Sequence, residues 1–146
     1  MTKQGKDTIK IGKDEKKLLE VAAKALSKAY VLWGVRVGAA VLAEDGQVYE
    51  GCNVESWISG LGICAERNAI NHAVLHGNRR IKLVAVVMEG NGVEPRPCGA
   101  CLQYIRDFAD SKTKILMART KDSEVQIDSA AVKAIRELLP FAYHAK

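Results

Sequence analysis

Three cysteines and one glutamate stand at spacings that suit a metal site with an acid/base group beside it. Cys64 and Glu66 are separated by one residue, and Cys98 and Cys101 follow as a Cys-x-x-Cys pair. Thiolates are good zinc ligands, and residues three apart share a face when their segment opens a helix. Three protein ligands leave the fourth tetrahedral position of zinc open, which is the pattern of a catalytic site.

The residues around these ligands indicate what such a site could do. An open zinc site lowers the pKa of its bound water towards neutrality, and Glu66 is placed to move protons between that water and a substrate. Three thiolates exceed the charge of a zinc dication by one. Arg67 can offset that excess by donating hydrogen bonds to a thiolate, although an ordinary surface ion pair is an equal alternative for this arginine.

A closed structural zinc site is the main alternative for the same cysteines. Its fourth ligand would be Cys52, His72 or His76. We favour the catalytic interpretation, because a structural site has no need of a glutamate two residues after a ligand. Cys52 is then expected to be a small core residue and the histidines ordinary helix-face residues.

Hydrophobic periodicity and turn residues predict the elements that must position the site. Helices are expected from Asp14, as N-cap, to about residue 30–33, over 65–76, over 98–109, and from a cap at Asp128 or Ser129 to just before Pro140. Strands are expected over 35–42, 47–52, 81–88, 114–118 and, as a short edge strand, 124–127. A hairpin followed by βα units predicts an α/β fold, with a mixed sheet sandwiched between helices.

Length and composition narrow the class of protein. We expect one domain over residues 14–146, preceded by a flexible, lysine-rich arm over residues 1–13. Neither a signal peptide nor a run of about 20 apolar residues is evident, which favours a cytoplasmic protein. The net charge of +5 is accompanied by two Trp, two Phe and four Tyr without a basic stripe between them, so nucleic-acid binding is disfavoured.

Five stretches of the chain resemble the cytidine deaminase family, in family order from about residue 30 to about residue 143. They are Val37-Gly38-Ala39-Ala40, Gly51-Cys52-Asn53-Val54-Glu55, Gly60-Leu61-Gly62-Ile63-Cys64-Ala65-Glu66-Arg67, Pro97-Cys98-Gly99-Ala100-Cys101 and Glu137-Leu138-Leu139-Pro140. The resemblance implies a mixed five-stranded sheet with flanking helices. It also implies a zinc-dependent enzyme of the short type, a homotetramer whose pockets borrow residues from neighbouring subunits.

The resemblance further implies roles for individual residues. Asn53 and Glu55 match the pair that hydrogen-bonds the ribose of a nucleoside. Ala65 matches the residue whose backbone contacts the pyrimidine, and Glu66 matches the proton shuttle. The implied reaction is attack at C4 of cytosine, converting cytidine, and by extension deoxycytidine, to the uracil nucleoside and ammonia. Such an enzyme would serve pyrimidine salvage.

Several positions depart from the family pattern. Val35 replaces the usual Phe that stacks on the base, within Leu32-Trp33-Gly34-Val35, and Tyr143 replaces the usual terminal Phe. A modified cytosine nucleoside is therefore an alternative substrate, as for blasticidin S deaminases, which end in a similar Leu-Leu-Pro-x-x-Tyr. Those enzymes do not share Asn53-Val54-Glu55, so the ordinary nucleoside leads. A polynucleotide cytosine deaminase, with salt-dependent binding to single strands, is a less favoured alternative.

Overall fold

The computed structural model describes residues 10–90, 92 and 94–143. Within them the chain runs through one α-helix, a hairpin, two helix–strand units and a final strand with a short helix. In chain order the elements are α1 (Lys13–Leu26), β1 (Val37–Ala43), β2 (Val48–Cys52), α2 (Ala65–Leu75), β3 (Ile81–Glu89), α3 (Gly99–Phe108), β4 (Ala109–Lys121), β5 (Glu124–Ala134) and α4 (Ile135–Leu138).

The five strands form one sheet in the order β2-β1-β3-β4-β5. Only the β3–β4 pair is parallel, and the other pairs among these strands are antiparallel. The predicted mixed five-stranded sheet is therefore confirmed. One core layer packs the sheet against α2, α3 and α4, and the other packs it against α1. Strand β3 is covered on both faces, since Val84 and Val86 face the first layer while Ala85 and Val87 face the second. This explains why its sequence is an unbroken apolar run.

Two glycines allow helices to approach the sheet closely. A Cβ on Gly38 of β1 would lie 2.7 Å from the backbone nitrogen of Leu26 in α1, and a Cβ on Gly51 of β2 would lie 2.6 Å from the carbonyl oxygen of Ala65 in α2. Real Cβ atoms do not approach backbone atoms so closely. Gly51 therefore sets the distance between β2 and the first turn of α2, where the candidate site begins.

The predicted last helix is wrong over most of its length. Residues 124–134 form strand β5, which pairs with β4 on both sides of an irregularity in the register, and α4 covers only residues 135–138. Ser129 does not cap a helix. Its hydroxyl donates to the carbonyl of Gln126 at 2.6 Å and accepts from the backbone N–H of Arg119 at 2.9 Å, at an irregularity in the β4–β5 pairing.

Other boundaries differ by a few residues. Helix α1 is capped by Gly12 and not by Asp14, and the Gly12 N–H donates to the Glu15 carboxylate at 3.0 Å. Ile11 packs against the α1 core layer, so the folded part begins before the predicted boundary at residue 14. Residues 1–9 of the predicted arm lie outside the described residues. In the described chain, no helix is both long and apolar enough to cross a membrane.

Candidate zinc and catalytic site

The three cysteines of the sequence motif converge at the starts of two helices. Cys64 is the N-cap of α2, Cys98 is the N-cap of α3, and Cys101 lies in the first turn of α3. Their Sγ atoms all lie within 4.8 Å of one another. Cys98 is exposed, Cys64 is half-buried and Cys101 is buried, so the cluster opens to solvent on one side. Both helix N-termini favour negative charge on the thiols.

Hydrogen bonds between elements fix the relative positions of α2 and α3. The Tyr104 hydroxyl of α3 donates to the side-chain oxygen of Asn71 in α2. One turn into α2, the Asn68 side chain donates to the carbonyl of Cys52 in β2 at 2.9 Å. These contacts, together with the close approach at Gly51, hold the first turn of α2 against the sheet.

The loop that leads into Cys98 is tied to the sheet by an ion pair that the sequence did not reveal. Arg119 of β4 contacts Glu94 at 3.2 Å, and Pro95 and Pro97 of the same loop are buried. The Nε of Arg119 is buried and has no hydrogen-bond partner among the described residues. No local pattern links two residues 25 positions apart, so only the parallel β3–β4 pairing brings them together.

The thiols differ in how readily they ionise. Hydrogen bonding from the Cys101 thiol, aided by Arg67, lowers the pKa of Cys64 to about 5. The pKa of Cys101 is raised, chiefly because its thiol proton is held by Cys64 and because the residue is buried. Cys64 is therefore the first of this pair to carry a negative charge, and it is available to a cation at neutral pH.

Arg67 lies next to the thiols, as the charge argument requires. Its Nη2 donates to Cys64 Sγ at 3.8 Å, within the range for a sulfur acceptor. Its Nε is buried and lacks a hydrogen-bond partner among the described residues. Contact with the Cys64 sulfur raises the pKa of the guanidinium further, so the charge is permanent. The alternative of a surface ion pair is not observed, since no carboxylate within the described residues pairs with Arg67.

Glu66 is the buried acid of the site. It lies in the first turn of α2 and is only 4% exposed. Burial raises the pKa of its carboxyl to about 7, and the charge of the neighbouring Cys64 contributes to that rise. A carboxyl group with a pKa near neutrality can both accept and release a proton at physiological pH, which is what a general acid–base catalyst must do.

The donor set fits an open zinc site. Among the described residues, no fourth His, Cys, Asp or Glu side chain joins the three thiols as a metal-ligating group. His72, offered above as a possible fourth ligand, instead contacts the carbonyl of Glu50 through Nδ1 at 3.1 Å. Cys52 is a separate free cysteine in β2. The closed structural site is therefore disfavoured, and the arrangement leaves one coordination position for a water or a substrate.

Asn53 and Glu55 lie beside the start of α2 but contact protein backbone. Val54, between them, exchanges backbone hydrogen bonds with Ile63 at 2.9 and 3.0 Å, directly before Cys64. The Asn53 side chain binds the backbone at the start of β1. It accepts a hydrogen bond from the N–H of Val37 at 2.8 Å and donates one to the carbonyl of Val35 at 2.9 Å.

The Glu55 carboxylate accepts from three successive backbone N–H groups, those of Leu32, Trp33 and Gly34. These hydrogen bonds lower the pKa of Glu55, so the group is an anion at neutral pH. Asn53 and Glu55 together therefore organise the segment from Leu32 to Val37. Sequence reasoning assigned both residues to a ligand and missed this second role.

The remaining predicted residues lie at different depths. Ala65 is fully buried as the first residue of α2, whereas Val35 is 44% exposed. Tyr143 is 76% exposed, and its backbone N–H and carbonyl pair with the side chain of Gln103 on the outer side of α3. Near Val35 the rings of Trp33 and Trp57 meet edge to face at 5.4 Å, a contact that the sequence did not indicate.

The fold and the site together define a class of enzyme, the zinc-dependent hydrolytic deaminases, in which three cysteines surround the metal and a glutamate that is not a ligand acts as acid/base. A family model described as "Cytidine and deoxycytidylate deaminase zinc-binding region" matches residues 12–117. The chain therefore belongs to the cytidine and deoxycytidylate deaminase family, and zinc is the metal expected at the three thiols.

Known proteins resemble the chain over most of its length. A cytidine deaminase of Halalkalibacterium halodurans is 35% identical over 91% of this chain and 96% of its own. The crystal structure of cytidine deaminase from Burkholderia pseudomallei superposes with a TM-score of 0.76 and 35% identity, covering 87% of this chain and 97% of that one. A blasticidin-S deaminase of Bacillus cereus is 26% identical over 93% of this chain and 96% of its own, a more distant relationship.

Proposed function

We propose that this protein catalyses the hydrolytic deamination of cytidine and deoxycytidine to the corresponding uracil nucleosides and ammonia. The observation that carries the proposal is the burial of Glu66 beside three convergent thiols, with its pKa raised to about 7. The unpaired state of all four cysteines is compatible with a reducing compartment, and we place the reaction in cytoplasmic pyrimidine salvage.

The chain's own residues account for the proton transfers of this reaction. Zinc bound by Cys64, Cys98 and Cys101 would supply Lewis acidity that makes water a better nucleophile. Glu66 takes one proton from the attacking water and delivers it to N3 of the cytosine ring. A second proton then passes through the same carboxylate to the amino group, which leaves from C4 as ammonia while the water oxygen stays as the new carbonyl. Arg67 stabilises the negative charge of the Cys64 thiolate during these steps.

We assign Asn53 and Glu55 to the sugar of the nucleoside. Each side chain already bonds the segment from Leu32 to Val37, yet each keeps unused capacity. A carboxylate can accept about four hydrogen bonds, and an amide has a second hydrogen and a second lone pair. One hydroxyl group can therefore be bound without breaking the contacts to the backbone.

Val35 and Tyr143 are assigned to the walls of the base pocket. Val35 is held by Asn53 through its carbonyl and exposes its side chain near the Trp33–Trp57 pair. Tyr143 is bound to Gln103 of α3 through its backbone and is exposed in its own chain, which favours a contribution of its side chain to the pocket of a neighbouring subunit. A small side chain at position 35 leaves space for a modified base, so a modified cytosine nucleoside is the second candidate substrate.

We further propose that the protein is a homotetramer with shared pockets, and exposed apolar surface supports the presence of subunit contacts. Large apolar side chains are exposed around the candidate site and at the end of the described chain, including Trp57 at 77% and Phe141 at 96%. Contiguous exposed apolar surface marks interaction sites in soluble proteins. Light scattering should report about 64 kDa, four chains of 15.9 kDa. A fully active monomer would overturn both the assembly and the shared pocket.

Ammonia release from a panel of cytosine compounds tests the proposed function. The zinc-loaded protein should turn over cytidine and deoxycytidine, and free cytosine, which lacks the sugar, should be a very poor substrate. The Glu66→Gln variant supplies the background rate for each compound. Turnover of free cytosine as fast as cytidine would contradict the nucleoside assignment. Activity confined to blasticidin S, or to a single-stranded cytosine oligonucleotide, would replace it with the corresponding alternative.

A further inference from the structure

Two histidines face each other at the end of α2 that is remote from the thiols. His72 and His76 are four residues apart and therefore share a helix face. Their ring centroids are 4.9 Å apart with an interplanar angle of 68°. His76 is exposed and His72 is partly exposed. At 1.5 Å per residue, His72 lies about 10 Å and His76 about 16 Å along the helix axis from Ala65, so the pair belongs to a different site.

The hydrogen bonds of both rings identify their tautomers. His72 Nδ1 contacts the carbonyl of Glu50 at 3.1 Å, and His76 Nδ1 contacts the carbonyl of His72 at 2.9 Å. A carbonyl can only accept, so both Nδ1 atoms must carry the proton. In the neutral rings the lone pairs are then on Nε2, and neither Nε2 has a hydrogen-bond partner among the described residues. Metal-binding histidines commonly have this arrangement, in which one ring nitrogen donates to a carbonyl and the other ligates.

Tyr49 holds the two rings in place. Its ring lies 5.3 Å from that of His72 and 5.2 Å from that of His76. Tyr49 is itself fixed, because its hydroxyl donates to Asp45 at 2.8 Å and accepts from Asn78 at 3.0 Å. The imidazoles are thus packed against a buried side chain before any ligand binds, which reduces the entropy lost on binding.

The spacing of the rings suits a shared metal ion. A metal about 2.0–2.1 Å from each Nε2 lies about 3.2 Å from each ring centre. Two such ligands at an angle between 90° and 109° place the ring centres roughly 4.5–5.2 Å apart. The observed separation of 4.9 Å falls within this interval.

We propose that His72 and His76 form a second metal site, which binds one borderline divalent transition-metal ion through the two Nε2 atoms and completes its coordination with water. Imidazole ligands favour Ni²⁺, Cu²⁺ and Zn²⁺ over the hard cations Mg²⁺ and Ca²⁺. The two Nε2 atoms are brought together only in the folded protein, where His72 is bonded to the Glu50 carbonyl of β2. Binding should therefore raise the melting temperature of the protein.

Calorimetric titration of Ni²⁺ into zinc-loaded, untagged protein tests the site. The parent should bind one Ni²⁺ per chain beyond its zinc, and Mg²⁺ should give no signal. His76→Asn is the informative variant, because the asparagine amide can still donate to the His72 carbonyl while the Nε2 ligand is lost. Its affinity should fall at least about tenfold, the lower limit seen when even an outer hydrogen-bonding partner of a metal site is removed. His72→Asn should have the same effect.

The chain offers a matched control in its third histidine, His144, which lies outside the described residues. His144→Asn should bind Ni²⁺ like the parent, and all variants should keep their zinc and their cytidine turnover. The absence of a second metal in the parent, unchanged Ni²⁺ affinity in His76→Asn, or loss of binding in His144→Asn would each overturn the proposal. Because the readout is Ni²⁺ binding, the result is independent of whether cytidine is the substrate.

Discussion

The carboxylate of Glu55 accepts a hydrogen bond from the backbone N–H of Trp33 at 2.9 Å, across 22 residues of sequence. The same carboxylate accepts from Leu32 and from Gly34. Trp33 in turn packs edge to face on Trp57. A residue that the family resemblance assigns to the sugar is therefore also the anchor of the adjoining aromatic pair, and a substitution at Glu55 acts on both.

The anchoring role predicts an acid transition that can be observed by fluorescence. The N–H donors hold the pKa of Glu55 below its ordinary value of 4.5. The hydrogen bonds from the backbone to the Glu55 carboxylate are therefore fully present above pH 4.5. They are lost as the pH falls through the lower pKa that Glu55 has in the folded protein. Trp33 and Trp57 are the only tryptophans of the chain, so tryptophan emission reports on this pair alone.

Glu55→Gln is the control for that titration, because a neutral amide cannot titrate. At neutral pH its tryptophan emission should differ from that of the parent. As the pH is lowered from 6, the emission should stay constant until global unfolding begins, which far-UV circular dichroism monitors separately. A midpoint above 4.5 in the parent, or the same midpoint in Glu55→Gln, would show that another group controls the tryptophan pair.

The zinc-site motif and most of the sheet could be predicted because their signals are local. The Asp45-Gly46 turn is an example. Gly46 has a φ of 82°, and the Asp45 side chain accepts from the N–H of Gln47 at 2.9 Å, so this turn predicted the β1–β2 hairpin correctly. Gly77, with a φ of 88°, marked the end of α2 in the same way.

The edge strand predicted over 124–127 is the first part of β5, but its continuation over residues 128–134 could not be predicted, because the signals there depend on the partner strand. Asp128 and Ser129 are good helix caps in isolation, but pairing with β4 recruits the Ser129 hydroxyl to the backbone of Arg119. The side chains of this segment alternate between the two core layers: Ala130 and Val132 pack on the α1 side, and Ala131 packs on the opposite side. This alternation is visible only once the sheet is known. The backbone contacts of Glu55 and the Glu94–Arg119 pair escaped prediction for the same reason, since they join distant segments.

Glu66→Gln tests the proton-transfer role. Glutamine preserves the shape of the buried side chain but has no carboxylate to accept a proton. Turnover of cytidine should fall by at least about 10²–10⁴-fold, the usual contribution of a general acid–base catalyst. Zinc content and the melting temperature should change little. Turnover within a few-fold of the parent would remove Glu66 from the mechanism.

Metal analysis of single cysteine variants tests the ligand set. Cys98→Ala should lose most of its zinc, because two remaining thiols cannot reproduce the three-ligand site. Cys52→Ala should retain about one zinc per chain, since Cys52 lies outside the thiol cluster, and it serves as the matched control. Full zinc content in Cys98→Ala would refute the assignment.

Gly51→Ala tests whether the packing of β2 against α2 positions the site. The added methyl would overlap backbone atoms of Ala65 and Ala69, which cannot move without shifting the first turn of α2. Overpacking of this kind costs about 1–3 kcal/mol of the free energy of unfolding. In a domain of this size, each kcal/mol lost should lower the melting temperature by roughly 2–4 °C.

Because Cys64 and Glu66 lie in that same turn, cytidine turnover of Gly51→Ala should fall more than its stability alone would require. Its matched control is Gly60→Ala, where a Cβ would meet open space. This variant should melt within about 2 °C of the parent, as surface substitutions usually change stability by no more than about 0.5 kcal/mol. Turnover and melting are measured on both variants at equal zinc content. If Gly51→Ala matched Gly60→Ala in both quantities, the spacing between strand and helix would not be what positions Glu66.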